Sequence, residues 1–426
     1  MTIGTPPPPA STNTASTNTV SQAAASRITV VGVTADGWPS LPERLRRTVL
    51  EAEVVLGGRR HLAMLPEVTG QRREAWPSPL REGLPPLLAS LGGARVVALA
   101  SGDPLVSGIG TTLVDLLGVG SVDVEPAVSS VALARARMGW PSERCAVVTL
   151  VGRDPRLLLR ELAPGHRVLV LSSDAATPTA VAALLAGAGY GRSVVTVLGD
   201  LGTDLESRLS GTADDWLASP PGEAPALNVL ALELAGPPAH GLVAGLPDDA
   251  FENDGQLTRR DLRASALARL APAPGQHLWD VGAGAGSVGI EWMRAHPTCV
   301  TTAVEADAGR AARVARNAGR LGVPGLRVVT GRAPDALAGL AAPDAVFIGG
   351  GATRPGVLEA CLGALRPGGR LVVHGVTLET ETLLADAYRR HGGELTRLAV
   401  ETTAPIGSFT GWTPARTVTQ WSLTVG

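Results

Sequence analysis

Five residues in one short stretch carry the most chemistry in this sequence. Asp280 stands just before three alternating glycines, Gly282, Gly284 and Gly286, and Glu305 follows 19 residues after the last of them. His277-Leu278-Trp279-Asp280-Val281 reads as a strand entering a glycine turn, and Ser287 to Arg294 as the helix leaving it. Glycines there permit a tight turn and let backbone amides, those of Ala283 and Ala285 included, approach a ligand with no side chain between. A carboxylate at the end of the next strand, Glu305, is placed to accept from both hydroxyls of a ribose. The turn also satisfies G-x-G-x-x-G through Gly284, Gly286 and Gly289, so a nicotinamide-dependent oxidoreductase is one reading; that motif alone does not decide. Asp280 argues the other way. A carboxylate beside the turn repels a pyrophosphate and attracts a ligand bearing a sulfonium and an ammonium, the charge pattern of S-adenosylmethionine.

Such a turn works only at the end of a buried parallel strand, and the chain supplies several. Short β-branched runs recur at Ile28 to Val33, Val54 to Leu56, Val96 to Ala100, Val122 to Val124, Val168 to Leu171, Val194 to Leu198 and Asn228 to Glu233, with a helical spacing over Leu41 to Ala52. Ala235-Gly236-Pro237-Pro238-Ala239-His240-Gly241 then reads as a linker, with the boundary at 234–250. A helix from Thr258 to Leu270 opens the second part, with Thr258 as N-cap and Asp261 three positions on. Strands follow at Gln276 to Val281, Val300 to Glu305, Arg327 to Thr330, Ala345 to Ile348 and Gly369 to His374, which predicts an open, largely parallel sheet. Residues 1–26 lack charge after Met1 and are rich in Pro, Ser, Thr and Asn, so they read as a disordered leader.

The second part resembles a class I methyltransferase of Rossmann-like fold. It is similar, more narrowly, to the decarboxylating precorrin methyltransferases of the cobalamin pathway, through Gly245 to Phe251, Leu257-Thr258-Arg259-Arg260-Asp261-Leu262-Arg263, the glycine turn with Ser287, Gly289 and Glu291, Gly331-Arg332-Ala333-Pro334-Asp335, Phe347 to Gly351 and Pro367 to Arg370. That resemblance implies donor contacts from Thr258, Asp280, Gly282, Ala283, Gly284, Ala285, Gly286, Glu305 and Ala333. The first part, 27–233, resembles the tetrapyrrole methylases, a two-lobed α/β class III methyltransferase fold. The residues that carry it are Val30 to Gly37 around Gly32, Ala100 to Gly110 and Glu125 to Val131. Ala52 to Leu62 and Leu198 to Asp204, the latter followed by Glu206 and Arg208, are similar to the C5-methylating subfamily. The implied donor-binding residues are Gly32, Ser101, Gly102, Asp103, Val106, Ser129, Ser130 and Gly202, with Asp103 also near the reaction centre. Together the resemblances imply an α/β chain with two S-adenosylmethionine sites, methylating C5 in 27–233, and methylating C15 and decarboxylating the ring C acetate in 251–426.

A macrocycle rich in carboxylates calls for arginine, which binds them bidentately. Arg259, Arg260, Arg263, Arg354 and Arg416 are the candidates, each with a solvated surface arginine as its competing reading; His374, at a strand end, is the candidate acid or base. All 37 basic residues are arginine, which excludes lysine Schiff-base chemistry and a phosphate-loop lysine. A net charge of −2 and 3% aromatic residues argue against a nucleic-acid partner. Cys145, Cys299 and Cys361 are too far apart for a CxxC site, and no histidine pair has ligand spacing, so no metal is expected. No run is apolar enough to span a membrane. The expectation is a cytoplasmic enzyme, a dimer or tetramer by its resemblance. One part could still be a binding module that passes intermediates to the other, since donor-binding glycines do not prove turnover.

Overall fold

The computed structural model describes residues 27–238 and 240–426; the expected leader lies outside them. The chain divides into two compact units, one ending at Ser130, the other running from Val131 to Gly426. The first holds a five-stranded, all-parallel sheet in the order Arg72–Ala75, Val54–Gly57, Val96–Ser101, Ile28–Val33, Val122–Glu125. Its central strands are buried on both faces, as unbroken runs of Val, Ile, Leu and Ala require.

The second unit carries two larger sheets. One, in the order Ala146–Thr149, Arg167–Leu171, Asn228–Glu233, Val194–Gly199, Ser207–Thr212, is antiparallel except for its first pair. The other is seven-stranded: Arg327–Thr330, Val300–Glu305, His277–Val281, Ala345–Ile348, Arg370–Gly375, Val418–Thr424, Glu394–Leu398. Its first five strands are parallel, and Val418–Thr424 pairs antiparallel with both Arg370–Gly375 and Glu394–Leu398. The strand order reverses between His277–Val281 and Ala345–Ile348, and that switch point opens a crevice at the carboxyl ends of the strands. A separate hairpin, Glu401–Ile406 with Phe409–Pro414, precedes the last long strand.

The expected split after residue 233 is not where the compact units divide. Residues 131–233 pack with the C-terminal part: a Cβ on Gly319 would strike the Arg156 guanidinium, and one on Gly322 (φ +80°) the backbone of Arg160. Nor is 240–250 loose. Arg294 donates to the carbonyls of Leu321 (2.6 Å) and His240 (3.2 Å), and Leu246, Ala250 and Phe251 are buried against Ile290 and Val314. Among the described residues, no helix is long and apolar enough to cross a membrane.

Candidate functional site

The glycine turn follows the strand His277–Val281 as the sequence implies, and all three glycines adopt positive φ, from +59° to +77°. A Cβ on Gly282 would lie 2.7 Å from the Gly350 carbonyl oxygen, and one on Gly284 2.8 Å from that of Gln256. Side chains other than hydrogen are therefore shut out where the backbone must turn. Glu305 Oε2 accepts from the Gly284 amide (2.9 Å) and Oε1 from that of Asp307 (3.0 Å). These bonds fix the carboxylate and leave it further lone pairs for hydroxyl donors.

Above the turn lies a cavity of about 780 Å³, within the range of small-molecule sites. Thr258, Gly282, Ala283, Gly284, Glu305 and Ala333 line it, together with Arg259, Arg354, Arg416 and His374. Six expected donor contacts, three of the arginines and the histidine thus converge from segments far apart in sequence. Arg332 joins them; its place between Gly331 and Ala333, after the third strand, was the available signal. Arg332, Arg354 and Arg416 are exposed and form no ion pair among the described residues, whereas Arg259 lies 3.5 Å from Asp248.

Five expected residues are elsewhere. Asp280 is 1% exposed and lies behind the turn: Oδ2 accepts from the Gly289 amide (3.0 Å), while Oδ1 has no partner among the described residues. Burial, reinforced by Glu305 and opposed by the Gly289 bond, pushes its pKa up to about 7, so it is not the exposed anion that would attract a sulfonium. Ala285 is buried, and Gly286 is directed at Val314, which a Cβ would meet at 2.6 Å. Arg263 is fully buried. It donates to Glu291 (2.5 Å), Asp248 (3.3 Å) and the carbonyls of Thr258 and Leu246, and stacks over Phe251 at 4.7 Å. With 0% of the residue exposed, the guanidinium presents nothing to a substrate. Arg260 is exposed and approaches Gly245 rather than the cavity. Thr258 does not cap the helix Arg260–Leu270; Arg259 holds that position.

His374 is 9% exposed, with its ring edge-on to Phe347 at 5.1 Å. Gln420, turned so that its oxygen accepts from Arg269 Nε (3.0 Å), donates to His374 Nε2 (2.9 Å), which leaves the proton on Nδ1. Burial holds its pKa at about 4, so the ring is neutral near pH 7 and is no imidazolium acid.

In the first unit, the Gly102 amide donates to the Val33 carbonyl (2.8 Å), and the Gly102 carbonyl accepts from Ala127 (3.2 Å). A Cβ on Gly32 would collide with both the Gly102 oxygen and the Ala127 nitrogen; one on Gly102 would lie 3.1 Å from Ser129 Cα. Gly32, Gly102 and Ser129 therefore converge at the carboxyl ends of the parallel strands, with Ser101 closing the strand Val96–Ser101. Asp103 Oδ1 accepts from the Leu105 amide (2.9 Å), which shapes the loop leading to Val106. Ser130 opens the helix Ser130–Met138. Gly202 belongs to the second unit, where its amide donates to Glu206 (3.1 Å).

Comparison with known proteins adds to this geometry. Residues 27–216 match the tetrapyrrole (corrin/porphyrin) methylases, and residues 249–425 the precorrin methyltransferase domain. A precorrin-6Y C(5,15)-methyltransferase [decarboxylating] from Sinorhizobium sp is 44% identical over 94% of this chain and 96% of its own length. The chain belongs to that family. Two Salmonella typhimurium proteins of single function each match about a third of it. A cobalt-precorrin-6B C(15)-methyltransferase (decarboxylating) is 33% identical over 36% of this chain and 80% of its own, and a cobalt-precorrin-7 C(5)-methyltransferase is 32% identical over 35% and 85%. The family is thus a fusion of two activities that elsewhere occupy separate chains.

Proposed function

We propose that this chain is a bifunctional methyltransferase of cobalamin biosynthesis that methylates C5 and C15 of a precorrin-6 macrocycle and decarboxylates its ring C acetate. Residues 27–233 serve C5; residues 251–426 serve C15 and the loss of carbon dioxide. Each part has its own S-adenosylmethionine site, and the enzyme is a cytoplasmic homo-oligomer without a nucleic-acid or membrane partner. The observation that carries the reading is the cavity over the switch point, where a glycine cradle and the fixed Glu305 carboxylate face unpaired arginines.

S-adenosylmethionine supplies an electrophilic methyl group. In the second part, Gly282 and Gly284 hold backbone close to the ligand, Glu305 orients ribose hydroxyls, and Arg332, Arg354 and Arg416 at the mouth match the carboxylates of the macrocycle. A meso carbon of a reduced tetrapyrrole is enamine-like and already nucleophilic, so holding the reactants in line supplies much of the rate. Each transfer releases one proton as the methyl replaces hydrogen. Loss of the acetate carboxylate leaves an electron pair that the conjugated ring delocalises until a proton is taken up. His374 lines the cavity as a neutral imidazole.

Separate Asp103→Asn and Glu305→Gln variants test the assignment by product mass. The first is expected to lose one methyl group and keep decarboxylation; the second is expected to lose the other methyl group. Full product from either variant overturns the assignment of that residue, and no methylation by the parent chain overturns the function.

A further inference from the structure

His61 is the buried polar residue of the first unit that the function so far leaves unused. It lies on the short helix Arg59–Ala63 and is 7% exposed. Its Nε2 is 3.1 Å from Ser101 Oγ and 3.3 Å from Arg60 Nη2, and the same Arg60 nitrogen is 3.2 Å from Ser101 Oγ. A guanidinium only donates, so Nε2 is an acceptor and the ring proton sits on Nδ1. Burial, and then the charge on Arg60, hold the imidazole's pKa down at about 4, which keeps that neutral form. The single lone pair of Nε2 is then shared between the Arg60 N–H and the Ser101 hydroxyl, whose oxygen also accepts from Arg60. One lone pair of Oγ is left, on an exposed residue beside Gly102 and Asp103.

The other ring nitrogen, Nδ1, is buried and finds no partner among the described residues, which costs stability that an apolar residue of similar size would not lose.

We propose that His61 is a positioning residue for the C5 transfer: by accepting a hydrogen bond from the Ser101 hydroxyl it makes that oxygen a fixed acceptor for an N–H donor of the bound reactants. Such donors exist on both reactants: the ammonium and the adenine amino group of S-adenosylmethionine, and a pyrrole-type N–H of the macrocycle. The inference rests on the assignment of C5 methylation to residues 27–233.

The test uses the full chain, with both methylations followed by product mass, so that C15 methylation and decarboxylation report folding within each sample. His61→Leu is expected to lower kcat/KM for C5 methylation about tenfold, the worth of one oriented hydrogen bond to a charged group. C15 methylation and carbon dioxide loss stay unchanged. His61→Gln, whose amide oxygen accepts from Ser101, is expected to recover most of the loss. Ser101→Ala is expected to match His61→Leu, and the double variant to be no worse than either. A rise confined to the KM for S-adenosylmethionine places the N–H donor on that molecule; one confined to the macrocycle identifies the ring N–H. C5 methylation unchanged in His61→Leu, or losses that add in the double variant, overturns the proposal. A parent chain that adds a methyl group only at C15 overturns instead the assignment on which it rests.

Discussion

A single carboxyl group shows how side-chain direction decides chemistry. Asp280 sits where the sequence places an anion for a cationic ligand, yet successive side chains of a strand point to opposite faces, and its carboxyl lies under the helix Ser287–Ala295 while Val281 reaches the cavity. Its pKa of about 7, against an ordinary 3.8, makes it a pH-dependent liability. Between those values the folded chain keeps a proton that the unfolded chain has released. Its contribution is therefore most favourable below pH 3.8 and is lost as pH climbs through 7. Asp280→Asn removes the titration and keeps an oxygen for the Gly289 amide. Thermal unfolding of the two proteins should nearly coincide at pH 4, with the variant gaining on the parent between pH 5 and 8. Melting curves that stay parallel across that range would show that Asp280 ionises freely in the fold.

At the scale of elements, the buried parallel strands were legible because residues covered on both faces must be apolar throughout, as in Val96–Ser101 and Ala345–Ile348. The strands that were not legible are mostly edges. Arg72–Ala75 reads Arg-Arg-Glu-Ala, Glu394–Leu398 carries alternating charge, and the hairpin 401–414 is largely exposed, so solvent rather than the core set their composition. The glycine turn was legible as a motif; the place of Arg263 was not, since it belongs to the neighbouring motif yet turns inward, away from the cavity. There it joins the helix Arg260–Leu270 to Glu291 on Ser287–Ala295, and Glu291 also accepts from the amides of Gly245 (2.6 Å) and Leu246 (3.0 Å). Arg263→Ala leaves that carboxylate buried without its cation, which should cost about 3–5 kcal/mol. Denaturant unfolding checks the loss. A stable variant with only a raised KM for the macrocycle would instead return Arg263 to a substrate role.

For the whole molecule the question is how much of the chain the second site needs. Every residue lining its cavity lies between Gly255 and Val418, so the site is complete without the first 240 residues or so. The cut must still respect the core. Arg294 grips the carbonyls of His240 and Gly241, Glu291 grips the amides of Gly245 and Leu246, and Phe251 packs beneath Arg263. A fragment spanning 236–426 keeps all of these; one starting at 251 strips Glu291 of two donors and exposes part of the core. The longer fragment gives up the surface on which Arg156 and Arg160 approach Gly319 and Gly322. It should fold with a lower melting temperature than the intact chain. By titration calorimetry it should bind one equivalent of S-adenosylmethionine, with an affinity within about threefold of the intact chain's corresponding site, a difference well under 1 kcal/mol. The intact chain should bind two equivalents, and the fragment alone should methylate C15 and release carbon dioxide. A folded 236–426 that binds no donor would mean that residues 131–233 complete the second site, and the fusion would then be a structural requirement of that chemistry.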